Sequence, residues 1–239
     1  MTEILRVENL TITYYSHSGS SQIGVKNINF SLNEGEIYGV VGESGSGKTI
    51  FTKYILGILP IAAHFTQESF EVVPKIGAIF QNAFTSLNPT VKIGKQLQHL
   101  YISHYGNKKD WKEKIESLLE EVGLDKKKNF LDKYPYELSG GEQQRIVIMG
   151  ALIGEPKFLI ADEVTTALDV ETKIEIINFF KKLQKKFKIS ILFITHDLST
   201  LKNFADKIYV MYHGEIIDEN HPYRKQLFQL SQDIWRRKQ

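Results

Sequence analysis

Hydrophobic and polar residues alternate at the start of the chain, which is the pattern of a strand with one buried face. Leu5 and Val7 alternate with Arg6 and Glu8, and the alternation continues to Tyr14. Four shorter apolar runs, bounded by turn residues, have the length of buried strands. These runs are Ile28–Leu32, Ile37–Val41, Phe158–Ala161 and Ile189–Thr195.

Apolar residues spaced three and four apart predict amphipathic helices elsewhere in the chain. In the segment Asp110–Gly123, residues Trp111, Ile115 and Leu118 fall on one stripe, and Gly123 is placed to end the helix. Further helices are predicted over Ile50–Leu59, from Ser139 to about Ile153, and over Glu171–Lys186.

The order of these elements predicts an α/β fold. A strand, a helix and a strand follow one another in the last third of the chain, which favours a parallel sheet with right-handed crossovers. Residues from roughly 82 to 153 are mostly helical in pattern. We therefore expect one domain over residues 1–239, with an α/β core at 1–81 and 154–239 and a helical subdomain at 82–153.

Composition excludes several classes of protein. The chain has 239 residues, of which 42% are hydrophobic and 24% charged, and it has no cysteine. These values exclude disordered and collagen-like proteins, disulfide scaffolds and cysteine-ligated metal sites. The net charge of +2 is too small to indicate nucleic-acid binding, and no stretch approaches the ~20 apolar residues of a membrane span. We expect no signal peptide, and any membrane component must belong to a partner.

A glycine-rich loop follows the strand Ile37–Val41. The segment from Gly42 to Thr49 fits the pattern G-x-x-x-x-G-K-[ST], and a predicted helix comes after it. Glycines allow backbone N–H groups to surround phosphate oxygens, and the helix N-terminus adds positive potential. Lys48 is suited to bind the β- and γ-phosphates, and the Thr49 hydroxyl to bind Mg²⁺. The alternative is a glycine-rich turn without a ligand.

Two carboxylates follow the apolar run Phe158–Ala161. Asp162 and Glu163 suit phosphoryl chemistry, in which one carboxylate holds Mg²⁺ and the next orients or deprotonates an attacking water. Acidic pairs at strand ends are common, so this pair indicates phosphoryl chemistry only because the glycine-rich loop is also present.

A third motif runs from Leu138 to Arg145. Ser139 and Glu142 predict a capping box at the start of a helix, and the glycines at 140 and 141 leave N–H groups free for an anion. Because this motif lies on the helical insertion, a second copy of the chain or a paralogue would have to bring it to the glycine-rich loop.

These motifs resemble, in their order, those of the nucleotide-binding subunits of ABC transporters. Gly42–Thr49 corresponds to the Walker A loop, Phe158–Glu163 to Walker B and Leu138–Gln143 to the signature. Gln81 corresponds to the Q-loop, Ala167-Leu168-Asp169 to the D-loop, and His196 to the switch histidine. The resemblance covers essentially the whole chain and implies a P-loop NTPase with a RecA-like core, a small antiparallel β lobe and a helical subdomain.

The resemblance also implies a role for each site residue. Tyr14, rather than Tyr15, would stack on adenine. Phosphate would be bound by the loop residues Gly42, Glu43, Ser44, Gly45, Ser46, Gly47 and Lys48. Mg²⁺ would be held by Thr49, Gln81 and Asp162, while catalysis would depend on Glu163, His196, Gln81 and Lys48. ATP of a partner subunit would be contacted by Ser139, Gly140, Gly141, Glu142 and Asp169.

Two segments narrow the resemblance to importers of peptides and nickel. They are Phe80–Pro89 with Ile93–Gln96, and His221–Tyr223. The implied partners are membrane permeases, a second identical or different ATP-binding subunit and, indirectly, an extracytoplasmic binding protein, and the implied location is the cytoplasmic face of the membrane. The alternatives are a soluble ABC-type ATPase acting on ribosomes or nucleic acid, and an exporter.

Two departures from the family pattern leave the catalytic groups in place. Val164 stands where the family usually has proline, and only 32 residues separate Lys48 from Gln81, which predicts a trimmed β lobe.

Overall fold

The fold comprises two sheets and a set of helices in a computed structural model. The model describes residues 2–15, 21–80, 86–107, 109–125, 129–166 and 169–236. None of the helices in these ranges is long and apolar enough to cross a membrane.

The first sheet is antiparallel and forms a β lobe. Its central strand β1 pairs with β2 on one side and with both β4 and β5 on the other. The bounds are β1 Glu3–Tyr15, β2 Ser21–Asn33, β4 Ala63–Thr66 and β5 Ser69–Val72. The sequence pattern predicted only the second half of β2, because Gly24 and the left-handed Asn27 interrupt its alternation. That the lobe is trimmed stays a prediction.

The second sheet is the core of the molecule, and its strands lie in the order β10-β9-β3-β8-β7-β6. All neighbours are parallel except β10, which pairs antiparallel with β9, so the predicted parallel α/β sheet is confirmed. The bounds are β3 Ile37–Val41, β6 Ile76–Ile79, β7 Phe158–Asp162, β8 Ser190–Thr195, β9 Lys207–Tyr212 and β10 Glu215–Ile217.

Helices cover both faces of this sheet. They are α1 Lys48–Ile55, α2 Ile93–Tyr105, α3 Trp111–Glu121, α4 Gly140–Leu152, α5 Val170–Phe187, α6 Leu198–Leu201 and α7 Pro222–Arg236. Two 3-10 turns, Phe130–Asp132 and Pro135–Glu137, precede α4. The prediction of a helix over Ile50–Leu59 was wrong at both ends: α1 begins at Lys48, and the left-handed Gly57 follows its early end.

Two apolar clusters hold the layers together. One lies between the β lobe, α1 and one face of the central sheet, and includes Phe30, Phe51 and Phe158. The other lies under the opposite face and continues into α2, α3 and α4, with Phe180 and Phe193 in edge-to-face contact. The helical segment thus shares its core with the sheet, although the predicted boundaries at residues 82 and 153 stay a prediction.

Candidate active site

The central sheet brings the predicted motifs to one edge. Strand β8 lies between β3 and β7, and its register pairs Val41 with Thr195 and Asp162 with Ile194. The carboxyl ends of these three parallel strands are therefore level. The glycine-rich loop after β3, the carboxylates at the end of β7 and His196 after β8 consequently share one edge, where open α/β sheets bind ligands.

The glycine-rich loop is a tight backbone structure whose outer part is exposed. Gly45 and Gly47 have φ values of 81° and 105°, which disfavour residues with a Cβ atom. The inner wall is the β9–β10 hairpin: a Cβ atom on Gly42 would lie 2.1 Å from the carbonyl oxygen of Met211. The Gly214 N–H also donates to the Ser46 carbonyl at 3.0 Å. The loop is thus held from below while Glu43, Ser44 and Gly45 remain exposed.

Lys48 places a positive charge inside this loop. Its side chain is only 4% exposed, and Nζ donates to the carbonyls of Gly42 and Glu43, each at 2.8 Å. Burial lowers the pKa of Lys48, against the opposing effect of the Glu163 and Asp162 carboxylates. Nζ lies 3.9 Å from Oε1 of Glu163. A buried ammonium with only carbonyl partners at short range is suited to receive an anion.

Asp162 and Thr49 form the candidate metal site. Asp162 is 3% exposed, and a hydrogen bond from the Thr49 side chain reaches its carboxylate. Burial, then the charge of Glu163, raises the pKa of Asp162 to about 6, although Lys48 opposes the shift. Among the described residues, Oδ1 of Asp162 and Oγ of Ser46 in the glycine-rich loop have no hydrogen-bond partner. Such unsatisfied oxygens beside a hydroxyl fit Mg²⁺ and phosphate, because hard cations prefer oxygen ligands.

Glu163 is held in an uncommon backbone conformation. Its φ is 51°, a left-handed value that costs about 1–3 kcal/mol for a non-glycine residue and clusters at functional sites. Its N–H donates to the Ile194 carbonyl at 2.9 Å, which fixes the residue against β8. Oε2 accepts from the Thr166 hydroxyl at 3.2 Å and lies 3.5 Å from Nδ1 of His196. The candidate base and His196 are therefore in direct contact.

The segment that carries His196 is fixed by Asp197, a residue that the sequence analysis missed. Asp197 caps α6 by accepting from the Ser199 N–H, and it pairs with Lys173 of α5 at 2.8 Å. Burial tends to raise the pKa of Asp197, but hydrogen bonds from Lys173 and Ser199 outweigh it and lower the pKa to about 2. An acidic residue directly before a short helix was the available signal.

Tyr14 lies close to the glycine-rich loop. A Cβ atom on Gly24 would lie 2.9 Å from the Tyr14 ring. A Cβ atom on Gly47, in the loop, would lie 2.8 Å from the Gly24 carbonyl oxygen, so Gly24 is close to both the ring and the loop. The ring is half-buried, and burial raises the pKa of its hydroxyl. This placement agrees with an aromatic platform beside the phosphate loop, although the contact with adenine stays a prediction.

The signature motif caps α4 as predicted. Oγ of Ser139 accepts from the Glu142 N–H at 3.3 Å, and the Ser139 N–H donates to the Glu142 carboxylate at 2.9 Å. Ser139 and Gly140 are exposed, and a Cβ atom on Gly141 would meet nothing within 4 Å. This end of α4 is thus open to a ligand.

Some predicted residues lie outside the described part of the chain. Gln81, Ala167 and Leu168 fall there, so the predicted role of Gln81 in catalysis and metal binding stays a prediction. Asp169 is described and caps α5, accepting from the Thr172 N–H at 2.9 Å and hydroxyl at 2.8 Å. These bonds lower the pKa of Asp169 and give it a structural role besides the predicted one at an interface.

The C-terminal segment also touches the loop, which the sequence did not predict. A hydrogen bond joins the Tyr223 side chain to Glu43, and the Tyr223 ring stacks on Tyr212 at 4.3 Å. Tyr212 directly follows Met211, whose carbonyl supports Gly42. The motif His221-Pro-Tyr223 therefore packs against the support of the phosphate loop.

Known proteins are similar to this chain in sequence. Residues 25–166, more than half of the chain, match the family model described as ABC transporter. The oligopeptide transport ATP-binding protein OppD of Bacillus subtilis is 39% identical over 93% of this chain and 70% of its own length. The dipeptide transport ATP-binding protein DppD of the same organism is 37% identical over 95% of this chain and 76% of its own.

A solved structure shares the fold. The ATP-binding cassette MJ0796, a dimer in a post-hydrolysis state bound to ADP and Pi, is 25% identical and has a TM-score of 0.73. The match covers 90% of this chain and 97% of the cassette.

Proposed function

Since this chain belongs to the ABC transporter family and is one of its ATP-hydrolysing subunits, we propose that it drives peptide import from the cytoplasmic face of a membrane. The observation that carries the proposal is the convergence of Lys48, Asp162, Glu163 and His196 at one sheet edge. OppD and DppD, named for oligopeptide and dipeptide transport, support peptides as the cargo.

Hydrolysis follows from the charges at this edge. Lys48 and the N–H groups of residues 42–47 bind the phosphates and draw negative charge off the γ-phosphate. Glu163 orients and polarises the attacking water, because its carboxylate is held by Thr166 and His196 beside the loop. His196 contacts the γ-phosphate and keeps the closed state, while Tyr14 supports the adenine.

Thr49 and Asp162 hold Mg²⁺ in this proposal, with Gln81 as a further ligand. When bound, the ion neutralises charge that develops between the β- and γ-phosphates. Asp162 would bind it as the ionised carboxylate, and because the pKa of the metal-free carboxyl is raised, protons compete with the ion at acidic pH.

A second ATP-binding subunit completes each site. Ser139, Gly140, Gly141 and Glu142 stand at the open end of α4, where N–H groups and the helix dipole suit a phosphate. We propose that this end contacts ATP bound to the partner subunit and that Asp169 acts across the interface. The dimeric state of the MJ0796 cassette supports this arrangement.

The permease contact is proposed for a groove beside β6. The groove has a volume of about 1010 Å³, and α2 and α4 line its other walls. Phe80, 37% exposed, stands at its edge directly before Gln81, and Leu100 of α2 is 43% exposed. An apolar groove of this kind suits a short amphipathic segment of a membrane subunit, and its position lets Gln81 report the γ-phosphate to that partner.

Reconstitution tests the cargo and the partners together. The chain is assembled in vesicles with its permeases, the second ATP-binding subunit and the binding protein, and ATP-dependent uptake of a labelled pentapeptide is compared with uptake of nickel. We expect peptide uptake that requires Mg²⁺. Uptake of nickel but not of peptide would contradict peptides as the cargo and indicate a nickel importer. An ATPase rate that does not change when the permeases are added would contradict import.

A variant tests the groove. Leu100→Glu is expected to abolish co-purification with the permeases and leave ATP affinity within twofold of the wild type. Leu230→Glu, at a similarly exposed leucine of α7, is the control and should preserve co-purification. Retention of the permeases by Leu100→Glu would contradict the docking site.

A further inference from the structure

Gln144 is a buried polar residue that the family motifs leave without a role. It lies on α4, five residues after Ser139, and is 3% exposed. Its Nε2 donates to the carbonyl oxygen of Val164 at 2.6 Å. Among the described residues its Oε1 has no hydrogen-bond partner, although it is buried. The bond to Val164 therefore has to offset the cost of burying this amide.

The acceptor of this bond directly follows the candidate base. Val164 comes after Glu163, whose φ of 51° is a strained value that its surroundings must maintain. One constraint is the bond from the Glu163 N–H to the Ile194 carbonyl. The bond from Gln144 to Val164 is the constraint on the other side of the residue. Together they hold the peptide group before Glu163 and, one residue further on, the peptide group between Val164 and Thr165.

The neighbouring residue Arg145 connects α4 to α5, the helix that follows Glu163 in the chain. Its guanidinium lies over the Phe179 ring of α5 at 5.3 Å, and its Nη1 donates to the Val122 carbonyl at 2.8 Å. Helix α4 therefore contacts the chain both just after Glu163 and within α5. Movement of α4 is expected to act on the carbonyl at Val164, because the bond from Gln144 joins that carbonyl directly to the helix.

We propose that Gln144 is a positioning residue for Glu163, which couples the signature helix to the catalytic carboxylate through the carbonyl of Val164. This inference rests on the proposed function, since it assumes that Glu163 acts on ATP. The Ser139 end of α4 would bind the ATP of the partner subunit. The bond from Gln144 to Val164 would then make the position of Glu163 depend on whether that ATP is bound.

Gln144→Met tests the proposal in the assembled transporter, since methionine keeps the length of the side chain and removes the donor. The ATPase kcat is expected to fall about tenfold, because misplacing a catalytic group slows chemistry more than binding. KM for ATP should stay within twofold, since Lys48 and the glycine-rich loop are untouched. Gln184→Met is the matched control: its amide donates to the Gly35 carbonyl at 2.5 Å, far from the site, and its kcat should be unchanged.

Gln144→Glu provides a second variant of nearly the same shape, whose effect is measured as a pH profile of kcat. The neutral carboxyl donates to Val164, whereas the ionised form repels its carbonyl. The ratio of variant to wild-type kcat is therefore expected to fall at least fivefold between pH 6 and pH 9. A flat ratio, or a kcat for Gln144→Met within twofold of the wild type, would overturn the inference alone. An inactive wild-type assembly would instead overturn the proposed function, and the inference with it.

Discussion

Removing the charge of Asp162 should stabilise the ligand-free protein while destroying its metal site. The carboxylate is 3% exposed, and burial together with the charge of Glu163 raises its pKa from the ordinary 3.8 to about 6. The folded state thus binds a proton more tightly than the unfolded state. The stabilisation linked to that proton is complete below pH 3.8 and is lost as the pH rises through about 6.

The magnitude follows from the size of the shift. About two pKa units at 1.36 kcal/mol each give a cost of roughly 3 kcal/mol for the ionised group at pH 7.5, and roughly half of that at pH 5. Asp162→Asn is neutral at every pH and avoids this cost. Its free energy of unfolding should therefore exceed that of the wild type by up to about 3 kcal/mol at pH 7.5, with a smaller gain at pH 5.

Urea unfolding followed by tryptophan fluorescence in EDTA, without nucleotide, measures the difference. Asp197→Asn is the matched control of opposite sign, because hydrogen bonds lower the pKa of Asp197 to about 2. Its stabilisation is present above the unfolded value near 3.8 and is lost as the pH falls through about 2, so the variant should be less stable at pH 7.5. Added Mg²⁺ and ATP should stabilise the wild type more than Asp162→Asn. An Asp162→Asn variant that is less stable than the wild type in EDTA at pH 7.5 would refute the reasoning.

Two further predictions concern the phosphate loop and the adenine platform. Gly42→Ala should lower the free energy of unfolding by about 3 kcal/mol or more, since its Cβ would lie 2.1 Å from the Met211 carbonyl oxygen. Gly45→Ala meets no atom within 4 Å and should lose only about 1 kcal/mol from its positive φ; equal losses in urea titrations would contradict the packing argument. Tyr14→Ala should weaken ATP binding about tenfold in calorimetry, whereas Tyr14→Phe keeps the ring and should stay within twofold. Comparable losses for both Tyr14 variants would assign the effect to the hydroxyl and not to stacking.

The sequence predicted the elements whose bounds are set by their own hydrophobic pattern and by a turn or capping residue. Strand β3 has its predicted bounds, and β7, β8 and the capping box of α4 agree with prediction to within a residue. Each combines a clear hydrophobic period with a turn or capping residue. The strands β4 and β5 were not predicted, because each has only four residues, none of them fully buried, and is defined by pairing with β1.

The same distinction applies to the site. The residue types that bind phosphate and magnesium are recognisable at Gly42–Thr49 and at Asp162, since their chemistry requires a fixed local spacing. Contacts between distant segments carry no such pattern. The support of Gly42 by Met211, the bond from Gln144 to Val164 and the pairing of Asp197 with Lys173 join segments that are far apart in the sequence.

The most direct test of the central claim compares Glu163→Gln with the wild type in the complete transporter. Both proteins should bind Mg²⁺-ATP with affinities within a few-fold, because Lys48 and Asp162 remain. ATP turnover of the variant should fall by a factor of at least about 100, since the carboxylate that polarises water is gone. Turnover by Glu163→Gln at the wild-type rate, or a wild-type chain without magnesium-dependent affinity for ATP, would contradict the account.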